Sequence, residues 1–209
     1  MKRQILILDY GSGNVKSVFN ICKYVEEDTL ISNNIEDIKK CSHIILPGVG
    51  SYKASMNKIK KNLPLEEIMN QIINKKKPIL GICVGMQVMA NSSEEGSLKG
   101  LGWVDGTVRR FDSEKIDMLP KLPHMGWNGI SKSDHGLLKS IDCSLGFYFL
   151  HSYYFDSKSA QNVIARAFYL HDFDCAVSAG HIHGVQFHPE KSHQNGIQVF
   201  KNFSDLSLC

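Results

Sequence analysis

The sequence predicts an α/β fold, a mainly parallel sheet flanked by helices with an added antiparallel portion. Three observations lead there. The first half of the chain alternates short apolar runs with segments of helical spacing, the pattern of βαβ units whose strands pair in parallel and are covered on both faces. The second half carries apolar runs of strand character with few helices between them. With 43% hydrophobic and 22% charged residues over 209 positions, the composition is that of a globular protein able to bury one sizeable core, not of a disordered chain.

Taken in order, Gln4–Tyr10 (QILILDY) is the first strand, closed by the turn Gly11-Ser12-Gly13-Asn14. Val15–Val25 has helical spacing, Thr29–Ser32 suits a short strand and Ile35–Lys40 a short helix. His43–Leu46 is a buried strand that ends at Pro47-Gly48-Val49-Gly50, where two breakers predict a tight turn. Ser51–Asn74 is helical in pattern with a break near Pro64. Pro78–Ile82 is a third buried strand, followed by Cys83 and a helix from about Gly85. Trp103–Phe111, Tyr148–Ser152, Val163–Phe168, Ala176–Ala179 and Ile182–Phe187 read as strands, and a last helix runs from Gly196 to about Phe203. With no internal repeat, low-complexity segment or linker, residues 1–209 are read as a single domain.

Composition also excludes. A formal net charge of +3 is too small to argue for nucleic acid, and the Lys58–Lys61 and Lys75–Lys77 runs read as solvated faces or helix ends. No apolar run approaches the ~20 residues that span a bilayer. Met1-Lys2-Arg3-Gln4 leads straight into a strand with no long apolar region or cleavage site, so no signal peptide is expected. Cysteines at positions 22, 41, 83, 143, 175 and 209 contain no C-x-x-C pair, which fits neither a disulfide framework nor a zinc site. They predict a reducing cytoplasm, most thiols buried as small hydrophobes, and one thiol set apart.

The thiol set apart is Cys83. In Gly81-Ile82-Cys83-Val84-Gly85-Met86-Gln87 a buried strand runs into the cysteine and a helix follows, with glycines two residues to either side. That is the cysteine form of a G-x-S-x-G nucleophile elbow, in which the glycines permit the sharp turn that lifts the nucleophile above the sheet. A helix N-terminus there would favour thiolate, and the Val84 N–H would face a tetrahedral oxyanion. The competing reading is a buried cysteine in a glycine-rich turn. The second signal is Gly184-Val185-Gln186-Phe187-His188-Pro189-Glu190-Lys191. A cysteine nucleophile needs a base and the base an orienting acceptor. His188 follows a strand, where open α/β sheets place their sites, and Glu190 can fix its tautomer. Alone, His-Pro-Glu is equally a surface turn.

Together, at the strand ends of such a sheet, these motifs make the chain resemble the class I (triad-type) glutamine amidotransferases. Further segments resemble the glutaminase subunits of imidazole glycerol phosphate synthases: Asp9–Asn14 (DYGSGN), Pro47–Gly50 (PGVG), Ser93–Gly96 (SEEG), Pro123–Asn128 (PHMGWN), His151–Tyr153 (HSY) and the stretch through Ser192. The resemblance implies that Cys83 attacks the carboxamide carbon of L-glutamine, His188 protonates the leaving ammonia and Glu190 holds His188. It implies an oxyanion hole from Val84 together with Val49 and Gly50, whose loop must first rearrange a peptide. Gln87 and Glu95 would hold the amide and ammonium ends of the substrate, and Ser152 and Tyr153 would contact it through main chain. Glu95 by itself is equally an exposed loop carboxylate.

Trp127, Asn128, Tyr148 and Lys191 match positions facing a partner, although Trp127 taken alone reads better as a core aromatic. The implied partner is a (β/α)8-barrel cyclase, in a heterodimer that uses the ammonia to make imidazole glycerol phosphate and AICAR in histidine biosynthesis. No metal or organic cofactor is implied. Two other readings stand beside this one: a paralogous glutaminase feeding a surface-polysaccharide sugar amidotransferase, and a catalytically silent regulatory subunit. Other features are set aside. Gly11-Ser12-Gly13 has Lys16 where G-x-G-x-x-G needs glycine, His181 and His183 lack partners at zinc spacing, His124 and His151 receive no catalytic role, and Trp103 reads as core.

Overall fold

The computed structural model describes residues 3–25, 28–96, 98–112 and 122–206. The strands in chain order are β1 (Gln4–Ile7), β2 (Asp28–Ile31), β3 (His43–Gly48), β4 (Ile79–Cys83), β5 (Ser92–Ser93), β6 (Gly106–Arg110), β7 (His124–Asn128), β8 (Ser131–Lys132), β9 (Phe147–His151), β10 (Tyr153–Ser157), β11 (Val163–Tyr169), β12 (His171–Ala179) and β13 (Ile182–Val185). The α-helices are α1 (Val15–Tyr24), α2 (Ile35–Lys40), α3 (Tyr52–Asn62), α4 (Leu65–Met69), α5 (Val84–Gln87) and α6 (His193–Asp205).

Among the described residues, eleven strands share one sheet and β7 pairs with β9 in a second. Strands β2, β1, β3, β4 and β13 pair in parallel, and beyond β13 the sheet continues antiparallel through β12, β10 and β6. This is the expected architecture, and the residue pattern explains it. Every residue of β3, β4 and β13 is buried, as strands covered on both faces require. Helix α1 turns Val15, Val18 and Cys22 inward at three- and four-residue spacing, and α6 does the same with Val199, Phe200 and Phe203. The Ser51 hydroxyl accepts from Ala54 N and starts α3, and Asn34 caps α2 through Glu36 N.

The register places the site. Gly48 pairs with Cys83, and Ile82 with Val185. Strand β3 runs on through Pro47 and Gly48, where a turn was expected, because both pair with β4; the Val49-Gly50 segment, the Cys83 turn and the segment entering His188 therefore leave three adjacent strands at one level, at the strand ends where open α/β sheets hold ligands.

Several elements differ from expectation. Strand β1 stops at Ile7, because the Asp9 N–H and carboxylate are taken by Asn33 Oδ1 and Gly11 N, which turn the chain away. The Ser51–Asn74 stretch breaks at Pro64 as expected, but its second part closes on a single π turn at Asn70–Asn74. Strand β6 is shorter than the expected Trp103–Phe111 run, while β12 starts at His171, well before Ala176. The polar start of β12 is accommodated because Asp174 accepts from Arg166 Nε at 2.9 Å and from Ser157 N at 3.1 Å. Strands β7 and β10, and the two-residue β5 and β8, lie where the pattern predicts none. Helix α5 starts at Val84, close to the expected Gly85, and is four residues long, so its dipole adds little at Cys83. Helix α6 begins at His193, ahead of Gly196.

Candidate active site

The elbow forms for a steric reason. Cys83 adopts φ 55° and ψ −113°, a backbone conformation costly for a side chain-bearing residue and one that persists only when its surroundings enforce it. A Cβ on Gly81 would lie 2.6 Å from the Gly85 carbonyl oxygen, and one on Gly85 would lie 1.8 Å from the Leu46 carbonyl oxygen. The turn therefore folds back onto β3 with no room for a side chain at either glycine.

Around it lies a cavity of about 320 Å³. It gathers Val49, Gly50, Cys83, Val84, Gln87, Glu95, Ser152, Tyr153, His188 and Lys191, all named from the sequence, together with Pro123, Leu150 and His151. Glu190 sits behind His188: His188 Nδ1 donates to Glu190 Oε1 at 2.9 Å, with both side chains almost wholly buried. The other carboxylate oxygen, Oε2, is buried without a hydrogen-bond partner among the described residues. Burial pushes the His188 imidazole down, but hydrogen bonds and charge from Cys83 and Glu190 outweigh it and push the group up to about 10. The imidazolium is thus the favoured form beside the Cys83 sulfur. The turn after it is pinned by Ser192, whose hydroxyl donates to the His188 carbonyl at 2.7 Å and accepts from Tyr148 N at 3.0 Å.

Three sequence-predicted residues are already engaged. Gln87 is buried, and both hydrogens of its amide are committed, one to the Tyr153 carbonyl and one to Gln186 Oε1, each at 2.9 Å. Only its Oε1 remains to accept. One Glu95 oxygen accepts from Tyr52 N at 2.7 Å and so caps α3. The Val49 carbonyl receives the Ser12 hydroxyl at 2.6 Å, which holds the Pro47–Gly50 loop in one orientation. Gln186 is the residue that sequence reasoning missed: fully buried, it reaches Cys83 Sγ through Nε2 at 3.6 Å. Its signal was the strand pattern, since the position after Val185 falls beside Cys83.

Outside the cavity, Trp127 is 49% exposed and stacks on His193 with ring centroids 5.2 Å apart and planes 5° apart, so it is not a core residue. Lys191 Nζ lies 5.2 Å from the Tyr148 ring centroid. Asn128 is half-buried and donates to the Phe168 carbonyl at 2.8 Å. With Met125 65% and Phe168 66% exposed nearby, this rim is apolar and open. Trp103 is buried, as read. Cys22, Cys41 and Cys175 are buried thiols outside any disulfide and Cys143 is exposed, consistent with a reading that put most of the cysteines inside. Cys209 lies outside the described residues. His183 bonds Ser178 Oγ at 2.9 Å and His181 bonds the Ile72 carbonyl at 2.6 Å. No helix among the described residues is long and apolar enough to cross a membrane.

Comparison with known proteins agrees with this geometry. The family described as "Glutamine amidotransferase class-I" matches residues 6–205. "Imidazole glycerol phosphate synthase subunit HisH" of Leptospira borgpetersenii is 46% identical, covering 96% of this chain and 98% of the relative. "Imidazole glycerol phosphate synthase subunit HisH 2" of Pseudomonas aeruginosa is 41% identical, covering 97% and 99%. A crystal structure of a glutamine amidotransferase superposes with a TM-score of 0.74 at 15% identity, covering 97% of this chain and 99% of that one, a likeness of fold.

Proposed function

The chain belongs to the class-I glutamine amidotransferase family, and on that premise we propose that it is the glutaminase subunit of an imidazole glycerol phosphate synthase. The observation that carries this reading is the convergence of Cys83, His188 and Glu190 at one cavity, in a chain matched over nearly its full length by subunits of that name. The names do not favour the sugar-modification reading, and an intact Cys-His-Glu set argues against a silent subunit.

The Cys83 sulfur, as thiolate beside the His188 imidazolium, attacks the carboxamide carbon of L-glutamine, and the carbonyl oxygen takes the negative charge. Val84, with Val49 and Gly50 once the Ser12-held loop has turned, donates to that oxygen. His188 gives its proton to the departing nitrogen, which leaves as ammonia while a γ-glutamyl thioester remains on Cys83. Water then attacks the thioester, His188 takes its proton, and glutamate leaves with the thiolate–imidazolium pair restored. Glu190 keeps the imidazole oriented and offsets its charge. Gln87 Oε1 accepts from the substrate amide, the free Glu95 oxygen faces its ammonium group, and Ser152 and Tyr153 contact it through main chain.

A partner of (β/α)8-barrel cyclase type, in the cytoplasm, would consume the ammonia, docked on the rim formed by Trp127, Asn128, Tyr148 and Lys191. Cys83→Ala is expected to abolish glutamate release from the complex, and a glutamine-analogue electrophile to label Cys83 in a glutamine-protected manner. Labelling of the exposed Cys143 should ignore glutamine. Appreciable turnover by Cys83→Ala refutes the assignment. Adding the cyclase should raise the rate by ~10²–10³, the worth of one missing oxyanion donor; a free chain already at the full rate refutes the gating.

A further inference from the structure

Two buried histidines, His124 in β7 and His151 in β9, face each other across the small antiparallel sheet and have no part in the chemistry above. His124 Nδ1 and His151 Nε2 are 3.0 Å apart. A neutral imidazole has one donor and one acceptor nitrogen, so two directions are open to that bond in isolation. Two main-chain carbonyls, which can only accept, remove the choice.

One is Tyr153. His151 Nδ1 lies 2.8 Å from its oxygen, so Nδ1 carries the hydrogen and Nε2 must accept from His124. The other is Phe168. The Asn128 nitrogen 2.8 Å from its oxygen is necessarily the amino group, and that same group lies 3.3 Å from His124 Nε2. His124 Nε2 must therefore accept, which again leaves the hydrogen on Nδ1. The two ends give the same answer. At Tyr153 the relay ends on an acceptor shared with a second chain: the other lone pair of its carbonyl receives Gln87, whose second N–H goes to Gln186 Oε1, and Gln186 Nε2 reaches Cys83 Sγ.

We propose that Asn128, His124 and His151 are positioning residues, a hydrogen-bond relay of fixed direction that holds the Tyr153 main chain on the wall of the cavity and ties it to the rim strand β7. The proposal rests on the glutaminase reading for its consequence, because Tyr153 is where L-glutamine would lie. The surroundings suit a neutral relay. His124 is stacked against Phe149 and Tyr169, with centroids 4.8 and 4.0 Å away, and His151 packs among Phe111, Phe149 and Phe173. Burial pushes the imidazoles down to about 4 and about 3. The titratable groups facing the pair are Tyr169 and His188, and the His188 charge opposes a second one on His151. A proton added to His151 would set two N–H groups against each other and break the relay.

The test has two arms on the full chain. Nitrogen-15 NMR near neutral pH should find both imidazoles as neutral Nδ1–H tautomers; an Nε2–H tautomer or an imidazolium at either overturns the relay. In the synthase complex, His124→Gln should raise the KM for glutamine about tenfold, the loss expected for one hydrogen bond. His124→Asn places an amide nitrogen where Nδ1 stands and should return KM toward wild type. Both variants lose the same aromatic stacking, so equal effects, or none, would show packing alone and overturn the positioning role. A wild-type complex that hydrolyses no glutamine overturns the glutaminase reading and with it the role in binding, while the tautomers still decide whether the relay exists.

Discussion

Glu190→Gln keeps the shape behind His188 and removes its charge, since the glutamine oxygen can still accept at the 2.9 Å contact now made by Oε1. Both partners are almost wholly buried, so solvent does not screen the change. A hydrogen bond to a charged group is worth ~1.5–3 kcal/mol. At 1.36 kcal/mol per pKa unit, its loss lowers the imidazole by about 1–2 units. The same energy lost from the transition state of thioester hydrolysis, in which neutral His188 takes the water proton and becomes imidazolium, is about 10- to 150-fold in rate.

The signs follow from His188 being raised to about 10 from its ordinary 6.5. Activity that needs the imidazolium falls on the alkaline side, and in Glu190→Gln that fall should move to lower pH. Stability moves in the same sense. A group with a raised folded-state pKa contributes stability that is fully present below 6.5 and is lost as pH rises through about 10. The variant should therefore show a weaker loss of stability across that window. The assay is the initial rate of glutamate release by the complex at saturating glutamine, from about pH 6 to about pH 10, beside melting of the free chain. A variant with the wild-type rate and the wild-type alkaline limb would refute the reasoning and make Glu190 structural.

Gly85→Ala should destabilise the chain by more than ~3 kcal/mol, because the new methyl would lie 1.8 Å from the Leu46 carbonyl oxygen and only a shift of β3 or the elbow can relieve it. Urea unfolding measures this, and a change under ~0.5 kcal/mol refutes the steric account of the motif. Trp127→Ala should weaken binding of the cyclase by about 2 kcal/mol or more, some 30-fold, with little effect on the melting of the free chain, since half of the indole is already exposed. Calorimetric titration returning the wild-type Kd would place the interface elsewhere.

Local patterning made the parallel half legible. Short apolar runs gave β1, β3 and β4, and G-x-C-x-G gave the elbow because the clash at Gly85 depends only on neighbours in sequence and one adjacent strand. What stayed hidden is set by distant partners. Strand β12 begins with His171, Asp172 and Asp174, which look like loop until Arg166 and Ser157 are seen to satisfy Asp174. Strand β7 exposes Met125 and Trp127 on one face and buries His124 on the other, a pattern that reads as a motif and not as a strand. Gln186 sat inside a string already recognised, but only the β4–β13 register shows that it touches the sulfur. The end of α5 at Gln87 has no local signal, because the tertiary fold and not a sequence breaker stops it.

The pairing of β4 with β13 also orders events in time. Cys83 and Gln186 are 103 residues apart in sequence, and His188 lies further still. Contacts of such separation are slow to form, because their loop-closure entropy must be overcome before they stabilise anything. On a ribosome, the strand that carries the thiol emerges long before the one that carries its base. A chain interrupted after β4 has the cysteine but neither the imidazole that would take part in its chemistry nor the amide that reaches its sulfur. The molecule is thus assembled with its reagents kept apart, and hydrolysis of the cell's glutamine begins only once β13 and the His188 segment have been made and the sheet has closed.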